Sequence, residues 1–424
     1  MSGWRRDLAL FRNPVFALFF ATRTLGTLGS SFAPVALAFS VLHLPHGTPQ
    51  LLSVVLAAEA IPMVGFMLVG GVIADRFPRS RVLRGGLLLS ATAFAALGAM
   101  MLTGWTPTAA LCAAAALSGV GIALIYPALT GLIPEILPVR QLQAGNALLG
   151  AARNAAQIVG LVSSGMLVAW VGGAWALMTG AALFGAAGWL ATGIPVRSSR
   201  PAGLSAGGVV RDLRDGWREF VAHEWLWVVV AQWSLMVLFF SAAHGVIGPV
   251  IADAELGGAV PWSWILAGEA TGTLLGGLAA MRWRPRRPIL AAVLATAVAL
   301  PPPFLCLALG APLPLIIAAM AAAGAGFGLF GVLWATTMQL RVPAESLSRV
   351  ASYDALGSLV FQPVGLLVGG PAVVLWGAHT AMLVCGLALI VVCLLPLVSS
   401  DVRRLTWTSG LDRHANRGAV PETP

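Results

Sequence analysis

The sequence predicts an all-α membrane protein with twelve transmembrane helices, arranged as two parallel six-helix repeats. Three observations lead to this fold class: the apolar composition, the placement of the arginines and a similarity between the two halves of the chain. Of the 424 residues, 58% are hydrophobic and only 10% are charged. Soluble domains carry about 25% charged residues, so this composition is typical of a membrane protein.

Twelve apolar stretches are long enough to cross a bilayer, whose hydrocarbon core of about 30 Å requires roughly 20 helical residues. Prolines inside some of them, such as Pro34 and Pro62, fit this prediction because neighbouring helices in a membrane can satisfy freed backbone groups. We predict spans 1 to 12 at residues 15–42, 51–74, 82–103, 109–133, 144–170, 174–194, 225–251, 261–281, 288–309, 314–338, 348–370 and 372–397.

The arginines predict how these spans are oriented. All 25 cationic residues are arginine, and 23 of them precede span 1, follow an even-numbered span or lie in the C-terminal tail. Cytoplasmic loops of membrane proteins retain positive charge, so both termini are predicted to be cytoplasmic. The net charge of +9 therefore reflects membrane topology and attraction to anionic lipid, and it does not indicate nucleic-acid binding.

The two halves of the chain are similar to each other. An offset of about 205 residues places Gly119 on Gly324 and Gln157 on Gln362. An even number of spans separates these positions, so the two halves have the same orientation in the membrane. The predicted organisation is a six-helix half at 1–194, a cytoplasmic linker at 195–224, a second six-helix half at 225–397 and a cytoplasmic tail at 398–424. The apolar residues of the linker follow one face of a helix, which predicts an amphipathic helix on the inner leaflet.

The connection after span 2 carries a recognisable motif. Residues 71–83, GVIADRFPRSRVL, resemble the signature loop of the major facilitator superfamily, G-x-L-A-D-R-x-G-R-(R/K)-x-x-L, and a degenerate copy follows span 8. Pro78, and the segment from Tyr353 to Gly357, are similar to the branch that holds enterobactin and macrolide exporters. The resemblance covers nearly the whole chain. It implies the major facilitator fold and a transporter in a bacterial cytoplasmic membrane.

The same resemblance implies a conformational latch at the ends of the spans. In the family, an aspartate and arginines of this loop stabilise the outward-open form, and Asp354 is expected to join them through Arg84 or another loop arginine. The alternative is that these residues only fix topology and fold. The residues assigned to the latch are Gly71, Asp75, Arg76, Arg79, Arg81 and Asp354.

Two arginines do not follow this topology rule and lie deep inside spans, Arg23 about eight residues into span 1 and Arg153 about nine residues into span 5. An intramembrane arginine costs about 2.5–3.5 kcal/mol, so each is expected to face a cavity or a partner. Polar and small residues recur at helical spacing near both arginines and along span 11, which predicts a polar pathway between the halves. The predicted substrate-pathway residues are Arg23, Arg153, Gln157, Ser358 and Gln362.

Two glutamates also lie inside spans, Glu59 in span 2 and Glu269 in span 8. A carboxyl group in a cavity screened from bulk water can load a proton from one side and release it to the other, so both are candidates for proton coupling. The alternative for Glu59 is a fixed ion pair with Arg23 or Arg153. His244, near the outer end of span 7, is interpreted as a packed or water-facing residue.

Enzymatic function is not predicted. The G-x-S-x-G match at residues 203–207 lies in a connection with no preceding strand, and the absence of lysine excludes a Walker A loop and therefore ATP-driven transport by this chain. We expect a secondary transporter, most simply a proton-coupled exporter of amphipathic small molecules such as antibiotics or siderophores. Its expected partners are the substrate, protons and membrane lipid. We expect no cofactor and a monomer.

Two other functions stay open. One is an importer of the same fold for a small organic solute, because the Gly-Pro pair expected in span 5 of an antiporter is Gly160-Leu161 here. The other is a non-transporting membrane receptor or assembly partner. The receptor is disfavoured because it would have no use for polar stripes inside the membrane.

Overall fold

The computed structural model describes residues 9–195, 214 and 217–406, with side chains throughout except at 9, 67–76, 130, 139, 344, 345, 348 and 349. Every regular element in this part of the chain is a helix. Most of the predicted linker, including residues 203–207, and the tail from residue 407 onward lie outside the described residues.

Twelve membrane helices lie in the described part of the chain, as the sequence predicts. In the first half, span 1 covers Pro14–Ser30 and Ala33–Leu42, span 2 Pro49–Arg76, span 3 Arg79–Thr103, span 4 Thr108–Ile136, span 5 Leu142–Val171 and span 6 Gly173–Leu190. In the second half, span 7 covers Glu224–Leu256, span 8 Ala259–Arg282, span 9 Pro288–Ala299 and Pro301–Ala308, span 10 Leu313–Arg341, span 11 Ala344–Leu359 and Gln362–Trp376, and span 12 Ala378–Leu394. Short helical segments lie at Ala9–Arg12, Val139–Gln141, Ala191–Gly193, Leu395–Val398 and Ser400–Arg404.

By length and composition, eleven of the described helices are apolar enough to cross a membrane. The twelfth is span 8, in which Glu269 and a run of glycines and threonines lower the hydropathy. This helix is shielded from lipid on one side because it packs along span 10 and also contacts span 5 of the other half. Its polarity therefore reflects its place in the bundle.

Prolines and π segments interrupt several spans. The second segments of spans 1, 9 and 11 each have a proline in their first turn, at Pro34, Pro301 and Pro363. Proline is favourable there because the first helical N–H groups have no partner within the helix. Span 7 contains two π segments, Ala242–Ile247 and Ala252–Leu256. Such π turns occur often at functional sites.

Helix packing repeats in the two halves. In the first half, span 4 packs on spans 2 and 3, span 6 packs on spans 1 and 3, and span 1 also contacts span 5. In the second half, the corresponding pairs are span 10 with spans 8 and 9, span 12 with spans 7 and 9, and span 7 with span 11. Between the halves, span 5 packs on span 8 and span 2 packs on span 11. This correspondence agrees with the predicted layout of two six-helix repeats.

The two halves are in close contact at one end of the bundle. The Gly370 backbone N–H in span 11 donates to the Ser53 hydroxyl in span 2 at 2.6 Å. His43, just after span 1, contacts Asp253 at the end of span 7 at 2.8 Å. The arginine pattern predicts that this end, which carries residues 43–50 and 252–260, faces the outside. The described conformation is therefore closed at the predicted outer end.

Glycines bring spans 8 and 10 together. Gly268, Gly272 and Gly276 recur every four residues along span 8, and a Cβ atom added at Gly276 would lie 2.0 Å from the carbonyl oxygen of Ala325 in span 10. A Cβ atom added at the next residue, Gly277, would meet nothing within 4 Å. The repeated glycines thus permit close helix approach, as small residues do in other membrane helices.

We expect Gly276→Ala to destabilise the protein and Gly277→Ala to have little effect. Overpacking a close helix contact costs about 1–3 kcal/mol, whereas a glycine-to-alanine change in open helix is neutral or stabilising by up to about 1 kcal/mol. Folded yield and the thermal unfolding midpoint of the two detergent-purified variants test this difference. Equal yield and midpoint for these adjacent changes would contradict the described packing of spans 8 and 10.

Candidate functional site

A cavity of about 350 Å³ lies inside the first half, among spans 1, 3, 4, 5 and 6. The structure places Arg23, Arg153 and Gln157 around it, and Thr27 and Tyr126 add hydroxyl groups to the same wall. An arginine carries five N–H donors and no acceptor. The wall of this first cavity is therefore cationic and rich in hydrogen-bond donors.

Arg23 and Arg153 lie close enough to each other for their charges to interact. Where the structure describes side chains, neither arginine lies within ion-pair distance of a carboxylate. The fixed pair between Glu59 and an arginine is thus not present in this conformation. The two cations instead face the first cavity, which is the other outcome expected for arginines inside a membrane.

A second cavity, of about 400 Å³, lies inside the second half among spans 7, 8, 10 and 11. One side of it is an aromatic wall formed by Trp233, Phe240, Phe327, Phe330 and Trp334. The ring centroids of Trp233 and Phe330 are 4.4 Å apart, those of Phe330 and Trp334 are 5.8 Å apart, and those of Phe240 and Phe327 are 5.5 Å apart. Such a wall offers apolar surface to a ligand and the negative faces of its rings to a cation.

Asp354 lies in the wall of the second cavity, beside the aromatic residues. The indole N–H of Trp334 donates to Asp354 Oδ2 at 3.0 Å, and the Ser358 hydroxyl lies 3.5 Å from Oδ1. The expected contact with Arg84 or another loop arginine is not present among the described side chains. In this conformation the described contacts of Asp354 lie in the wall of the second cavity.

Glu269 lines the same cavity and has a histidine partner. Its Oε2 lies 2.9 Å from Nε2 of His244, and the two side chains are 19% and 22% exposed. His244 lies in the π segment Ala242–Ile247 of span 7 and stacks on Phe240 with ring centroids 4.7 Å apart. His244 is thus packed, and its contact with Glu269, which the sequence did not indicate, brings two titratable groups together beside the cavity.

In the first half, Glu59 occupies the place that corresponds to that of Glu269 in the second half. Its Oε1 accepts a hydrogen bond from the Ser118 hydroxyl at 2.8 Å. A Cβ atom added at Gly119 would lie 2.0 Å from the Glu59 carbonyl oxygen, and one added at Gly324 would lie 2.0 Å from that of Glu269. Since Gly119 and Gly324 are equivalent in the sequence repeat, the two glutamates pack against equivalent points of spans 4 and 10.

The structure describes the predicted latch only in part. Arg79 donates to the Gly131 carbonyl oxygen at 2.8 Å and pairs with Glu135 Oε1 at 3.0 Å, so it joins the start of span 3 to the end of span 4. Arg81 is exposed. The remaining three latch residues, Gly71, Asp75 and Arg76, lie outside the residues with described side chains. The described latch contact therefore lies within the first half.

Of the predicted pathway residues in span 11, the structure brings only Ser358 to a cavity. Gln362 begins the second segment of span 11, beyond the break at residues 360–361, and is not part of the wall of either cavity. The sequence pattern missed this because it treated span 11 as one continuous helix. It also missed the aromatic wall, although Phe330 and Trp334 are one helical turn apart in span 10.

Known proteins resemble this chain along most of its length. The family model for transmembrane secretion effectors matches residues 6–411. The multidrug efflux pump Tap of Mycobacterium tuberculosis is 28% identical over 405 residues, which cover 90% of this chain and 92% of that pump. The multidrug efflux pump Tap of Mycolicibacterium fortuitum is 28% identical over 422 residues, which cover 94% of this chain and 98% of that pump.

Solved transporters share the fold. The nucleoside transporter NupG superposes with a TM-score of 0.72 over 92% of this chain and 100% of that chain, at 15% sequence identity. At this identity the likeness shows the fold alone. The family match, the two efflux pumps and the shared fold agree with the twelve described membrane helices. The chain therefore belongs to the transmembrane secretion effector family of the major facilitator superfamily, and it is a multi-pass membrane transporter and not an enzyme.

Proposed function

We propose that this transporter exports amphipathic small molecules from a bacterial cytoplasm in exchange for protons, by alternating access of its two halves. The observation that carries the proposal is the pair formed by Glu269 and His244 beside the second cavity. Glu269 has no arginine partner among the described side chains, and a carboxylate that borders a cavity in this way can exchange a proton with water when the cavity opens. Glu59 provides a second carboxyl group at the equivalent place in the first half.

Export is supported by the relatives that carry the name multidrug efflux pump.

Alternating access is supported by the contacts at one end of the bundle. With the termini in the cytoplasm, as the arginines predict, the contacts of Gly370 with Ser53 and of His43 with Asp253 close the outer end. The cavities then load from the inner side, which is the arrangement an exporter needs in order to take up its substrate.

Everted membrane vesicles from an efflux-deficient strain test the proposed function. A proton gradient that is acidic inside such vesicles should drive accumulation of amphipathic antibiotics or dyes from a chemically varied panel, and an uncoupler should abolish it. Vesicles without the protein are the control. Accumulation only in right-side-out vesicles would identify an importer. A lack of gradient-dependent movement in both orientations, with protein present in the membrane, would favour the receptor.

A further inference from the structure

We propose that the second cavity binds the positively charged group of an amphipathic organic cation, with Asp354 as its charge partner and the aromatic wall as its apolar surface. This inference rests on the proposed export function and adds the charge of the substrate. The second cavity, at about 400 Å³, falls within the range of roughly 300–1,000 Å³ that small-molecule sites occupy.

The hydrogen bonds that hold the Asp354 carboxylate in place do not neutralise its negative charge. It receives hydrogen bonds from Trp334 and Ser358, but neither partner carries a charge. A carboxylate has about four lone-pair sites, so two donors leave capacity for a ligand. Where the structure describes side chains, no arginine or histidine lies within ion-pair distance of Asp354. A cationic ligand would supply the missing opposite charge.

The aromatic wall supplies the second element of cation recognition. Trp233, Phe330 and Trp334 form a continuous run of rings beside Asp354. A desolvated cation is attracted to the negative face of an aromatic ring, and the flat rings also cover the apolar groups of an amphipathic ligand. The same surface carries only two hydrogen-bond donors, the indole N–H groups of Trp233 and Trp334, and that of Trp334 already bonds Asp354.

The first cavity has the opposite charge, which decides where the cation binds. Arg23 and Arg153 face it, and no carboxylate contributes to its wall among the described residues. A cation would be repelled from this side and attracted to Asp354 and Glu269 on the other. The charges of the two halves thus favour a substrate whose cationic group lies in the second half. Since Glu269 is assigned to the proton, Asp354 is the carboxylate left for the substrate.

Two probes of the same shape and opposite charge test this inference. Purified protein in nanodiscs of uncharged lipid would be titrated with tetraphenylphosphonium and with tetraphenylborate, and binding measured by calorimetry. We expect the cation to bind at least about tenfold more tightly than the anion, which corresponds to ~1.4 kcal/mol. Equal affinities, or tighter binding of the anion, would overturn the proposal without any variant being made.

Variants then locate the site. Asp354→Asn should weaken tetraphenylphosphonium binding by about tenfold or more, and Trp233→Leu should weaken it by several-fold. Asp401→Asn and Trp189→Leu change an exposed acid and an exposed aromatic residue outside both cavities, and should leave the affinity unchanged. Wild-type affinity in both cavity variants would refute the assigned site. Gradient-driven accumulation of a neutral or anionic compound together with absent cation binding would refute the charge assignment and leave proton-coupled export standing.

Discussion

Replacing Glu269 by glutamine is expected to abolish transport driven by a pH gradient while leaving exchange of labelled for unlabelled substrate largely intact. Glutamine has the shape of the protonated acid but has no proton to release. Exchange needs only the movement of the substrate-loaded protein, whereas net antiport must return the protein with a proton bound and then release that proton on the inner side. We expect gradient-driven transport to fall by at least about a hundredfold, which corresponds to ~2.7 kcal/mol, and exchange to stay within about twofold.

A matched variant separates this effect from the removal of any other acidic side chain in the second half. Glu255→Gln changes another glutamate of the second half, which lies at the end of span 7, contacts His379 and is 46% exposed. We expect Glu255→Gln to transport like the wild type.

Glu59→Gln should reduce gradient-driven transport less than Glu269→Gln, because Glu59 lies beside Ser118 and outside the wall of either cavity. Full gradient-driven transport in both Glu59→Gln and Glu269→Gln would remove proton coupling by these residues.

Replacing Gly370 by valine is expected to hold the predicted outer end open and to reduce transport by about tenfold or more. A Cβ atom at Gly370 would lie 2.4 Å from the Pro49 carbonyl oxygen and 2.5 Å from the Ser53 hydroxyl, across the contact between spans 11 and 2. The clash exists only while the halves touch there. The substitution therefore penalises the closed conformation and shifts the population toward the other one.

Spin labels at His46 and Ala254, which are exposed residues of opposite halves at this end, report the shift. In the Gly370→Val variant their distance distribution should gain a longer component. Gly185→Val is the control, because a Cβ atom at Gly185 meets nothing within 4 Å. An unchanged distance distribution with normal transport in Gly370→Val would show that spans 2 and 11 do not need to meet at this point.

The fold could be predicted from the sequence because the features that indicate it are spread along the whole chain. Apolar length identified the membrane spans, and the repeat identified two halves with matching helix packing. Arg23, Arg153 and Gln157 were also predictable as neighbours, since polar residues inside a membrane turn away from lipid. The structure places all three around the first cavity.

Contacts that depend on exact helix geometry were not predictable. His244 reaches Glu269 from a π segment, which changes the register of span 7 by an amount that regular helical spacing does not reveal. The aromatic wall joins residues of spans 7 and 10 that are far apart in sequence. The equivalence of Glu59 and Glu269 was hidden because the offset that aligns Gly119 with Gly324 does not align the two acids.

Proton movement coupled to substrate movement is the most direct measurement of the central claim. Purified protein would be reconstituted in liposomes that contain a pH-sensitive dye, and a substrate found in the vesicle panel would be added outside. We predict a substrate-dependent flow of protons in the direction opposite to the substrate, which Glu255→Gln retains and the double variant Glu59→Gln with Glu269→Gln loses. Substrate transport of normal rate without proton flow, or with proton flow that persists in the double variant, would contradict the account.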